Sequence, residues 1–161
     1  MKARLLILFI GLFVSQALIA GTGIGTNEFY RVLSSSSSNE VKTALNKLPE
    51  SKLSSKQRIY RGALMIKQAE FETNVKRKLT LSKEGIAIIE AEIQKNPSNI
   101  EYRFIRLTIQ ENIPPILKYR KNIQEDKQKI IGGFKRQPET LKTIIRNYAK
   151  QSRFLDSRDL N

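Results

Sequence analysis

The chain has 161 residues, with 29 Lys and Arg against 15 Asp and Glu, and contains neither histidine nor cysteine. Without those two residue types there is no disulfide framework, zinc–thiolate site or thiol nucleophile, and the commonest general base and metal ligand is missing. A formal charge of +14 at pH 7 favours anionic partners.

The first segment reads as an export signal. Lys2 and Arg4 precede an apolar run from Leu5 to Val14, which has the length of a signal-peptide core and is too short to span a bilayer. Ser15 and Ala17 supply the small residues of a cleavage site after Ala17, and Ala20 offers a second site behind the bulkier Leu18. Residues 1–20 are therefore expected to be removed, which lowers the formal charge from +14 to +12. No twin-arginine pair precedes the apolar core, so the general secretory pathway is expected. Lacking cysteine, the product is not a lipoprotein. The expected product is soluble, periplasmic or secreted, and belongs to a bacterial cell envelope.

Residues 21–38 read as a flexible leader and a polyserine linker, Ser34 to Ser38, with a candidate short helix over 27–33. Residues 39–161 read as one helical domain. Capping-box spacing recurs at Ser37 and Glu40, Ser54 and Gln57, and Ser98 and Glu101. Pro114, Pro115 and Pro138 suit first helical turns, while Leu48-Pro49, Asn96-Pro97 and Gly132-Gly133 suit stops. These signals predict helices over 39–47, 55–74, 82–95, 99–112, 115–131 and 138–153. No segment alternates with period two, so the fold class is all-α: antiparallel helical hairpins stacked in a short repeat-like array or small bundle.

The predicted helix 99–112 is apolar on two sides. Ile100, Phe104 and Leu107 lie on one, and Tyr102, Ile105 and Ile109 extend round the other, so the helix belongs in the middle of the stack. Arg103 or Arg106 should then meet a carboxylate, and Glu90 is the one expected because it interrupts the apolar face of the preceding helix. Over 115–134 the expected apolar stripe is Ile116, Tyr119, Ile123, Ile130, Ile131 and Phe134.

Residues 82–112, SKEGIAIIEAEIQKNPSNIEYRFIRLTIQEN, resemble the junction between two tetratricopeptide repeats. Ala87 and Ala91 stand for the small residues of a second helix, Asn96-Pro97-Ser98-Asn99 for the turn, and Tyr102 and Phe104 for the aromatics that open the next hairpin. Arg61-Gly62-Ala63-Leu64 sits where that family often has a Leu-Gly pair. The family's period is about 34 residues; Ser54 to Ser98 is longer, so residues 74–81 read as an insertion. The resemblance implies a stack of helical hairpins with a concave surface that binds proteins or peptides.

No pattern of catalysis emerges. Ser-x-x-Lys, the Gly-x-Ser-x-Gly elbow and the phosphate-binding glycine loop are all absent. The carboxylate pairs Glu70 and Glu72, Glu90 and Glu92, and Glu125 and Asp126 are spaced to splay apart on a helix and read as solvated. No cofactor or metal is expected.

Charge is what remains. In helix 138–153, Leu141, Ile144, Ile145 and Tyr148 form the inward stripe of a terminal cap, while Lys142, Arg146, Lys150 and Arg153 face outward. These four cations are the candidate partner-binding residues. Two functions fit: a non-catalytic adaptor or accessory subunit of an envelope assembly, binding a protein with an acidic surface, or a basic protein held electrostatically on anionic lipid head groups or lipopolysaccharide. Export argues against nucleic acid.

Overall fold

In the computed structural model, which describes residues 23–160, seven α-helices follow one another and no strand occurs among the described residues. They are α1 (Thr26–Leu33), α2 (Ser38–Asn46), α3 (Ser55–Glu70), α4 (Val75–Lys95), α5 (Ile100–Asn112), α6 (Ile123–Gly133) and α7 (Glu139–Ala149). Single 3-10 turns occupy Pro115–Leu117, Phe134–Arg136 and Ser157–Leu160. The signal-peptide expectation falls on residues 1–20, outside the described residues.

Local sequence explains most boundaries. Ser54 caps α3 with a complete capping box: its hydroxyl accepts from the Gln57 amide at 3.2 Å, and the Gln57 carboxamide accepts from the Ser54 amide at 3.4 Å. Ser37 caps α2 through the Glu40 amide, but the Glu40 carboxylate turns to Arg31 at 2.7 Å instead of closing the box. Asn99, not Ser98, caps α5, and Glu101 is thereby free to accept from Tyr60 across the core.

Several expected boundaries move: α3 ends at Glu70 instead of 74, and α7 at Ala149 instead of 153. The short helix expected over 27–33 is present as α1, but it belongs to the core instead of a leader: its Phe29 and Val32 are fully buried, and the serines after it serve as its end and as the cap of α2. Residues 75–81, read as an insertion, are the first two turns of α4, because Asn74 caps the Arg77 amide at 3.0 Å and nothing after it breaks a helix. The helix expected over 115–131 starts only at Ile123. Pro114 and Pro115 lead into a single 3-10 turn that ends with Lys118 in the left-handed region, at φ 47°. Ile116, placed in the inward stripe by the sequence pattern, is consequently 79% exposed.

Helix α3 packs along α4, and α5 along α6, more extensively than any other pair. The α3–α4 crossing is close because Gly62 and Gly85 face each other: a Cβ on Gly85 would lie 2.5 Å from the Gly62 carbonyl oxygen. Two apolar cores result. One joins α1–α5 around Phe29, Tyr60, Leu64, Ile89 and Ile105, with the Phe29 and Tyr60 rings stacked at 3.8 Å. The other joins α5–α7 around Phe104, Leu107, Ile130, Phe134 and Ile145. Helix α5 contributes to both and is buried from Glu101 through Glu111, as its two-sided apolar pattern requires.

Glu92, read as solvated, ties the start of α3 to the end of α4. It accepts from Ser55, from Arg58 at 2.6 Å and from Lys95 at 3.0 Å. Burial alone would raise its pKa, yet those three donors hold it at about 2, below the usual 4.5. A depressed folded-state value means that the contribution is complete above about pH 4.5 and is lost as pH falls toward 2. The urea midpoint should therefore drop between about pH 5 and 3, and the drop should be shallower in Glu92→Gln. Equal slopes in the two proteins would assign the acid sensitivity to other carboxylates.

Candidate partner-binding groove

The four C-terminal cations do not form an open basic face. Lys142 and Arg146 both reach Glu139, at 2.6 and 3.2 Å, and the Arg146 guanidinium lies over the Phe134 ring. Arg153 turns back to α5, where its backbone amide bonds Glu111 Oε1 and its guanidinium bonds the Glu111 carbonyl oxygen. Lys150 has no carboxylate partner among the described residues and donates to Asn147 at 3.1 Å. Half of the expected charge is thus offset in place, and Arg153 anchors the chain after α7. As expected, Leu141 and Ile145 are buried beneath this surface, with Ile144 and Tyr148 partly buried.

Buried polar groups on α5 are also committed to the fold. Arg106 bonds both oxygens of Asp126 at 2.7 Å and reaches the expected Glu90 at 2.9 Å. Arg103 bonds Asp126 at 3.1 Å, Glu125 at 2.8 Å and the carbonyl oxygen of Pro97. Tyr119 closes the group by donating to Glu90. These groups satisfy one another, with Glu125 and Glu90 partly in solvent.

A groove on the opposite side of α5 is differently built. It encloses about 830 Å³, open to solvent, and takes residues from α1, α3, α5 and α7. Its aromatic part is Tyr30 from α1, Phe104 from α5 and Tyr148 from α7, with ring separations of 5.7 Å (Tyr30–Phe104) and 5.4 Å (Phe104–Tyr148). Its polar part is carboxamide: Asn27, Asn112, Asn147 and Gln151, all exposed. The charged side chains at its edge are paired, Arg31 with Glu40 and Lys67 with Glu70, both at 2.7 Å. The Tyr30 hydroxyl is buried without a hydrogen-bond partner, and that burial, with the nearby Glu101 charge, raises its pKa well above 10.

Sequence reasoning missed this groove because one wall, the short helix expected over 27–33, was placed in a leader outside the helical domain. The available signal was the spacing of Ile24, Phe29 and Val32 with Glu28 and Arg31 between them, one apolar face in a short segment. No helix among the described residues is long and apolar enough to cross a membrane. Comparison with protein-family models, with curated proteins and with solved structures finds no match.

Proposed function

We propose that this chain is an exported, non-catalytic interaction module of a bacterial cell envelope, an adaptor or accessory subunit that holds an extended segment of a partner protein in the groove between α1, α5 and α7. The observation that carries this reading is the lining of that groove. Carboxamides both donate and accept, which matches the alternating N–H and C=O groups of an extended backbone. Tyr30 and Tyr148, partly exposed on either side of the buried Phe104, supply apolar anchors of the kind that dominate interface energetics. Because the edge charges are already paired, this groove selects its occupant by shape and hydrogen bonding more than by charge. The resemblance to tetratricopeptide repeats supports the same use, since a helix from each successive hairpin faces the groove.

The test uses the tagged chain starting at Gly21, incubated with extract of its native envelope and washed at low and high salt. Partner retained at high salt by the parent, and lost from the triple variant Asn27→Ala, Asn147→Ala, Gln151→Ala, supports the reading. All three residues are exposed, so the variant keeps the core. Recovery of the same partner by parent and variant, or release of the partner by salt alone, overturns it.

A further inference from the structure

We propose that a second surface, formed by the first half of α4 and the loop at 114–121, docks the protein on an anionic phospholipid bilayer. It is separate from the groove and does not depend on how the groove is used. Among the described residues, Val75 and Ile116 are the exposed large hydrophobics, at 69% and 79%. The fold brings their two segments together: Leu79, Lys83 and Ile86 of α4 line one shallow depression with Ile116, Leu117 and Tyr119 of the loop. Val75, Leu79, Lys83 and Ile86 recur at helical spacing, so they share a face, and Lys76 lies one heptad before Lys83 on it.

This surface carries an excess of positive charge, with the exposed Glu84 following Lys83 on α4. No acidic residue occurs in 73–83 or in 113–124. Lys76, Lys83, Lys118 and Lys121 have no carboxylate partner among the described residues, unlike the paired Lys142, Arg146 and Arg153. Glu90, farther along the same face of α4, is ion-paired with Arg106 and accepts from Tyr119.

Shape and composition select lipid over protein. The cores of protein interfaces are depleted of lysine and seat an aromatic anchor in a fitted pocket. Here lysines alternate with single aliphatic side chains, and a one-turn loop between two prolines and the left-handed Lys118 presents Ile116 alone. An isolated aliphatic side chain among cations suits the head-group layer of a bilayer, which needs no shaped counterpart.

Vesicle co-sedimentation decides the matter. The chain starting at Gly21 serves, since the described core runs from Ile24 to Leu160. Vesicles are phosphatidylcholine alone or with about 30% phosphatidylglycerol, at roughly 0.1 and 0.5 M salt. Each surface cation strengthens such binding by about fivefold. The quadruple variant Lys76→Gln, Lys83→Gln, Lys118→Gln, Lys121→Gln should therefore lose about a hundredfold or more, and Ile116→Ser about fivefold. A control with the same charge removed elsewhere (Lys42→Gln, Lys52→Gln, Lys129→Gln, Lys135→Gln) should lose far less. Equal binding to both vesicle types, or equal losses in patch and control variants, overturns the proposal. So does tighter binding of the patch to soluble polyglutamate than to the anionic vesicles, which would make an acidic protein its partner.

Discussion

Replacing Asp126 with alanine should destabilise the protein by about 3–5 kcal/mol, because it leaves two guanidinium groups buried with too few acceptors. Asp126 is fully buried; its carboxylate takes two bonds from Arg106 and one from Arg103. The side chains of those arginines are only 3% and 8% exposed, so water cannot replace the lost acceptor. Glu90 and Glu125 remain, but they are partly solvated and already engaged. The expected loss is the cost of stranding charge, not the net worth of the pair. Replacing Arg103, Arg106 and Asp126 together with aliphatic residues of similar volume should therefore cost much less than Asp126→Ala alone. Urea denaturation of the two variants measures both numbers. A single variant less than about 1 kcal/mol below the parent would show that α6 shifts to readmit water, and that this cluster does not hold α6 on α5.

The same aspartate shows how far the sequence carries. Helical period, caps and the two-sided apolar pattern of 99–112 were enough to place α5 between neighbours and to expect Glu90 to pair with Arg103 or Arg106, of which Arg106 is the one that reaches it. Asp126 was not legible, because its burial depends on where α6 begins. A helix running from Pro115 continues the local apolar pattern. The observed start at Ile123 instead puts Glu125 and Asp126 in the first turn of α6, where the helix dipole favours carboxylates and α5 presents its arginines. Local propensity does not contain that second reason. Residues 26–33 were legible as a short helix but not as part of the domain: flanked by Gly23, Gly25 and a run of serines, they resemble a linker in composition, and it is the stacking of Phe29 on Tyr60 across the fold that packs them into the core. The C-terminal cations illustrate a third limit. Periodicity turned Arg146 outward, but Lys142 is half-buried and Lys150 and Arg153 follow the end of α7; the partners of the paired cations, Glu139 and Glu111, differ in sequence distance, and Glu111 comes from another helix.

The second large effect is expected at Phe104. Truncation to alanine should cost about 3–5 kcal/mol, the range for removing a fully buried phenyl ring. Phe104 is 1% exposed, and the aromatic rings of Tyr30 and Tyr148 approach it from two different helices. Its loss removes packing that α1 and α7 share through α5, so these helices cannot close the space without moving against each other. Leu107, one turn on, is also fully buried, but its neighbours are the aliphatic residues of α6 and α7, which can repack. Leu107→Ala should consequently cost less, about 2–4 kcal/mol. The ring also forms the floor of the groove, so Phe104→Leu separates its two roles. Leucine keeps most of the buried volume and should retain most of the stability, while the aromatic contacts with Tyr30 and Tyr148 disappear. If the groove holds a partner through those rings, Phe104→Leu folds near the parent's midpoint and releases the partner at high salt. A variant that folds normally and still holds the partner there would confine Phe104 to the core and leave binding to the carboxamides above it.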